Sequence, residues 1–91
     1  MKEIHAIIEG TVQGVFFRQT TRKRAKVLGV VGWVKNKPDG SVEVIGQGQE
    51  ENIEKFIDFL HEGPRRAHVK HVDVEWREPT EEFDTFAITY S

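Results

Sequence analysis

Cysteine is absent from this chain. Disulfides, thiolate metal sites and thiol nucleophiles are thereby excluded, and so small a domain must be held together by packing. Long apolar runs are missing too: none could cross a bilayer, and the opening MKEIHAIIEG alternates in polarity where a signal peptide would carry an apolar block. A cytoplasmic location without a membrane partner is the expectation. There is no GxxxxGK[ST] string, so a nucleotide P-loop is unsupported. His5, His61, His68 and His71 are not spaced as zinc ligands, and Ser41 and Ser91 have no neighbouring histidine to activate them.

The last shortage is local. Between Gly10 and Pro38 there is no acidic residue, while Arg18, Arg22, Lys23, Arg24, Lys26, Lys35 and Lys37 all fall there. Most of the acids gather in residues 50–62 and 73–84, so a formal net charge of -2 conceals a cationic region. Such a region attracts small anions over a Debye length of ~10 Å, although each lysine alone also reads as solvated surface. With 91 residues, 37% hydrophobic and 31% charged, the chain has the make-up of one soluble globular domain over residues 1–91, expected to be free-standing with no obligate protein partner.

Residues 1–10 place Ile4, Ala6 and Ile8 on one side and His5, Ile7 and Glu9 on the other, which predicts a strand. Thr21, Ala25 and Leu28 share a face at helical spacing before the stop at Gly29, so a helix is expected from about Arg18 to Leu28. Val30 to Lys37 and the run SVEVIGQG flank Pro38-Asp39-Gly40, whose turn chemistry predicts a β-hairpin with Asn36 close to its turn. Ile53, Phe56, Ile57 and Leu60 fall at i, i+3, i+4 and i+7, giving a second helix from Glu50 to Glu62 with Gly63 and Pro64 behind it. Val72, Val74 and Trp76 alternate with acids as a strand, and Phe86, Ile88 and Tyr90 repeat the pattern in a last strand at a sheet edge. This order, βαββαβ plus a C-terminal strand, predicts an α+β, ferredoxin-like two-layer sandwich: an antiparallel sheet of four to five strands with two helices on one face.

One stretch stands apart from the scaffold. GTVQGVFFR, residues 10–18, bends at its glycines and runs through two aromatics into an arginine and a basic helix. A loop between a strand and a helix start can turn successive N–H groups inward as an anion cradle, and an arginine at its end can clamp two oxygens. A site of backbone amides, Arg18 and Asn36 suits phosphoryl transfer from a mixed anhydride, where positioning and electrostatics dominate and the departing carboxylate needs little protonation. Taken singly, Arg18 reads equally as a surface residue at a helix start, Asn36 as a hairpin residue, and Trp33, Phe16 and Phe17 as core.

GTVQGVFFR and GWVKNKPDGSVE closely resemble the two signature segments of the acylphosphatase family, G-x-V-Q-G-V-x-F-R and G-W-V-x-N-x-x-D-G-x-V-E, without departure in either. The resemblance implies a hydrolase that cleaves small acyl phosphates to a carboxylate and inorganic phosphate, with no metal or organic cofactor and with phosphate as product and inhibitor. It implies that the amides of Val12, Gln13, Gly14, Val15, Phe16, Phe17 and Arg18 bind the substrate phosphate, that Arg18 pairs with its oxygens, and that Asn36 holds the attacking water. It also implies that Gly10 and Gly14 are glycine because the anion approaches closely there. Two rival readings keep the fold. An RNA-recognition module lacks its sheet-borne aromatic string here, so no nucleic-acid partner is expected. A domain of a hydrogenase-maturation carbamoyltransferase would receive carbamoyl phosphate in the same cradle.

Overall fold

A computed structural model of the chain describes residues 1–90. Its elements are β1 (Lys2–Thr11), α1 (Phe17–Leu28), β2 (Val31–Asn36), β3 (Val42–Gly48), α2 (Glu50–Glu62), β4 (His68–Arg77) and β5 (Phe86–Ile88). The strands form one sheet in the order β4-β1-β3-β2-β5. The neighbours among β1 to β4 are antiparallel, but β5 lies parallel to β2, pairing Gly32 with Phe86 and Val34 with Ile88. The ferredoxin-like expectation therefore holds, with a sheet that is mixed rather than wholly antiparallel.

The alternation of β1 is what fixes the layers. Ile4, Ala6 and Ile8 are fully buried, opposite Gly46, Val44 and Val42 of β3. Against that face pack Phe17, Thr21 and Ala25 of α1 and Ile53, Phe56, Phe59 and Leu60 of α2, the residues that the helical period puts on one stripe. The two helices touch through the Phe17 and Phe59 rings, 6.2 Å apart, and Phe56 meets Phe86 of β5 edge-on at 5.7 Å. Removing a ring such as Phe56 from this cluster would cost about 3–5 kcal/mol.

The strand β4 begins four residues earlier than the alternation from Val72 suggests. A bulge explains the discrepancy: Glu9 pairs with His71 but Gly10 with Val69, so Lys70 is an extra residue that breaks the two-residue period. The bulge also corrects the expectation for Gly10. At φ +131°, a Cβ there would lie 2.1 Å from the His68 carbonyl oxygen, so this glycine answers to the β4 backbone and not to an anion. The hairpin turn is as its chemistry predicts. Asp39 Oδ1 accepts from Ser41 N at 3.0 Å and Ser41 Oγ at 2.6 Å, and these bonds hold its carboxyl below the usual carboxylate range.

Candidate active site

Strand directions decide what meets what. Because β1 and β2 are each antiparallel to β3, they run the same way, and β5 runs with β2. The carboxyl ends of β1, β2 and β5 therefore open at one end of the sheet, which is also where α1 begins. A cleft of about 250 Å³ lies there, lined by Val12, Gly14, Phe16, Phe17, Arg18 and Asn36, with Gln19, Ile88 and Tyr90 completing it.

The loop between β1 and α1 shapes its floor. Gly14 takes φ +74°, a backbone twist that favours glycine, and a Cβ there would meet no protein atom within 4 Å. Phe16 is the one non-glycine residue at positive φ among the described residues, at φ 63° and ψ 21°, and it serves as the N-cap of α1. A left-handed conformation costs an L-residue about 1–2 kcal/mol. Its carbonyl opens the helix, accepting from Thr20 N at 3.0 Å and Thr20 Oγ1 at 2.9 Å. No side chain caps this end and no acidic residue stands in the first turn. The first-turn N–H groups, which an α-helix cannot pair internally, thus have no capping side chain and lie on the positive end of the helix dipole, an arrangement that can receive an anion.

Arg18 lies in that first turn, its Cζ 5.0 Å from the centroid of the Tyr90 ring. Among the described residues it has no carboxylate partner. Asn36 closes β2 on the same cleft, and its Oδ1 is buried without a hydrogen-bond partner among the described residues. An unmatched buried oxygen of this kind costs about 1–3 kcal/mol.

The expected site residues divide as follows. Val12, Gly14, Phe16, Phe17, Arg18 and Asn36 all line the cleft. Gln13 and Val15 do not: Val15 packs against the core, and the Gln13 side chain turns to the hairpin, where Nε2 donates to the carbonyls of Lys37 at 2.8 Å and Ser41 at 2.9 Å. Phe17 is core, as expected, but Phe16 is 63% exposed and stands at the cleft. Ile88 and Tyr90 line the cleft although the sequence names neither of them for the site. Their signal was the continued alternation Phe86, Ile88, Tyr90, which runs on past the end of β5 at Ile88. Among the described residues no group of His, Asp or Glu could hold a metal ion, and no helix is long and apolar enough to cross a membrane.

Known proteins resemble this chain in both sequence and fold. The family model described as Acylphosphatase matches residues 4–88. An acylphosphatase of Pelotomaculum thermopropionicum is 44% identical over 94% of this chain and 94% of its own length. In three dimensions the chain is similar to the crystal structure of acylphosphatase from Bacillus subtilis, with a TM-score of 0.96 and 32% identity over 99% of this chain and 100% of that one. It is also similar, at 27% identity and a TM-score of 0.82, to a segment of full-length HypF in a phosphate- and nucleotide-bound form, covering 98% of this chain but 12% of that one.

Proposed function

This chain belongs to the acylphosphatase family, and on that footing we propose that it hydrolyses the carboxyl–phosphate bond of small acyl phosphates to a carboxylate and inorganic phosphate. The family is one of hydrolases acting on acid anhydrides. The observation that supports the residue-level reading is the meeting on one cleft of Arg18, the uncapped start of α1 and Asn36, whose buried Oδ1 has no hydrogen-bond partner among the described residues.

In this reading the loop and first-turn amides receive the phosphate, and the Arg18 guanidinium pairs with two of its oxygens. Asn36 binds a water through its amide and holds it opposite the acyl oxygen. The water oxygen bonds to phosphorus as the phosphorus–acyl oxygen bond breaks, and that electron pair leaves with the carboxylate. Charge that spreads over the equatorial phosphate oxygens in the transition state is met by Arg18 and the amides. The water's proton passes to a phosphate oxygen of the substrate, since the cleft lining offers neither carboxylate nor imidazole. A carboxylate is a good leaving group, so the scheme calls for no general acid.

Phosphate release from acetyl, benzoyl and carbamoyl phosphate, set beside simple phosphomonoesters, tests the reading. The wild type should cleave the acyl phosphates and leave the monoesters. Asn36→Ala should lower acyl phosphate turnover by ~10²-fold while inorganic phosphate still inhibits, as expected for a positioned polar group. Comparable cleavage of monoesters, or an Asn36→Ala enzyme of normal turnover with weakened phosphate inhibition, would show the assignment to be wrong.

A further inference from the structure

One side of the cleft is apolar, and the phosphate chemistry makes no use of it. Phe16 is 63% exposed there, Tyr90 is 82% exposed, and the half-buried Ile88 shares the same lining. Exposed apolar side chains are ordinary when scattered singly, but these two rings border a single opening. The backbone works to put one of them there: Phe16 is held in the left-handed region in spite of the penalty, so its ring stays out while its neighbour Phe17 enters the core at 1% exposure. Tyr90 is tied to the phosphate side, its ring stacked by the Arg18 guanidinium at 5.0 Å.

We infer that Phe16, Ile88 and Tyr90 form an acyl-group subsite that selects flat apolar acyl groups, aryl carboxylates foremost, on the phosphate held by Arg18. The inference rests on the acyl phosphate reading and names its substrate class. A phosphate seated on the first turn of α1 and on Arg18 must project its acyl group out of the cleft, past residues that line the mouth. A cleft of about 250 Å³ falls below the roughly 300–1,000 Å³ of drug-sized sites, which suits a phosphate with one ring and not an extended chain. A ring laid against Phe16 and Tyr90 gains offset or edge contacts that a methyl group cannot make. Beyond Phe16, on the outer side of α1, lies a different hollow, lined by Arg22, Lys23 and Lys26. It would favour an acyl group carrying a second negative charge, and the test separates the two.

The measurement is kcat/KM for benzoyl, acetyl and succinyl phosphate with wild type, Tyr90→Phe and Tyr90→Ala. Tyr90 is exposed, so its variants should fold, and a circular dichroism spectrum checks this. Wild type should favour benzoyl over acetyl phosphate by about 10-fold, since each buried methylene equivalent is worth roughly fourfold and the cleft is open on one side. Tyr90→Phe should keep the preference, and Tyr90→Ala should lose most of it, by more than any change in inhibition by inorganic phosphate. Calorimetric titration with phenylphosphonate and methylphosphonate gives a readout free of turnover: the phenyl compound should bind about 10-fold tighter, and only while position 90 is aromatic. Equal losses on benzoyl and acetyl phosphate would overturn the inference, leaving Tyr90 as a support for Arg18. So would a preference for succinyl phosphate, or equal binding of the two phosphonates. Wild type that binds phenylphosphonate selectively yet hydrolyses no acyl phosphate would sink the hydrolase reading and leave the aryl subsite standing.

Discussion

Arg18 stands where an α-helix least favours a cation. It lies in the first turn of α1, at the positive end of the dipole, with no acidic residue in that turn. A mismatched charge in this position costs about 0.3–1 kcal/mol, and the stacked Tyr90 ring returns a similar amount. A bound phosphate would be attracted both by the dipole and by the guanidinium, so the residue should matter for binding and hardly at all for folding. Arg18→Ala is expected to move the unfolding free energy by less than about 0.5 kcal/mol while abolishing inhibition by phosphate and lowering turnover by ~10³-fold or more. Arg18→Lys keeps a charge without the planar fork and should weaken phosphate inhibition by about 10-fold. A urea titration beside a phosphate competition assay decides both; large destabilisation by Arg18→Ala would mean that the arginine is structural. At this scale the sequence places Arg18 at the start of a helix and says less about its neighbours. Two adjacent phenylalanines look alike as letters, and which one is buried follows from the left-handed turn at Phe16, which nothing in its side chain announces.

The loop and the hairpin are separate elements, and Gln13 is the side chain that joins them. Its Nε2 donates to the carbonyls of Lys37 and Ser41, either side of the turn that follows Asn36. Both carbonyls also accept within the turn, from Gly40 N at 3.1 Å and Lys37 N at 2.8 Å. Losing Gln13 therefore leaves no oxygen unmatched, and Gln13→Met should cost only about 1 kcal/mol of stability. Its greater effect should be on geometry: kcat falling by about 10-fold with KM and phosphate inhibition little altered, because the distance from cradle to Asn36 is no longer set. A KM that rises as kcat holds would refute this. The meeting of loop and hairpin was only partly legible, since hydrophobic alternation shows that a strand exists but not where it ends. Across the open face of the sheet, His5 Nε2 donates to Glu43 Oε2 at 2.6 Å with Lys35 Nζ 3.7 Å from Oε1. Burial by itself would push the Glu43 carboxyl up, but the His5 bond and charge, with Lys35 and Lys37, outweigh it and hold the carboxyl below its ordinary 4.5. A lowered native pKa stabilises above the unfolded value and loses that contribution as pH falls through the native one. Wild type should exceed Glu43→Gln by about 1 kcal/mol at neutral pH, and the two should converge below about pH 4.5. Urea midpoints from pH 7 to pH 3 provide the check, and a constant difference would exclude the linkage.

At the scale of the whole molecule, the feature least legible in the sequence is the one that completes the cleft. Alternation in Phe86, Ile88 and Tyr90 announces a strand, yet it says nothing about direction, and only parallel pairing with β2 delivers the end of β5 to the cleft. Parallel pairing across the far edge needs a long connection, and residues 78–85 supply it by passing over the face of the sheet that the helices leave open. That passage has a buried anchor. Glu3 is 1% exposed, and its carboxylate accepts from Arg77 Nε and, at 2.7 Å, from Gln47 Nε2. The same Gln47 nitrogen donates its other hydrogen to the Glu81 carbonyl at 2.7 Å. Beyond the anchor, Gly32 N donates to Thr85 O at 3.0 Å and Thr89 N to Val34 O at 2.9 Å, fastening β5 to β2 at both of its ends. Gln47→Leu removes the tie and strips a buried carboxylate of one donor, so it should cost about 3 kcal/mol in urea unfolding. The loss should be uneven. Amide exchange at Gly32 and Thr89, the donors that fasten β5, should quicken more than exchange in the centre of β1, because the strap opens locally before the core does. Equal quickening at all of these amides would mean that the strap has no stability of its own, and that the cleft is shaped by the core alone.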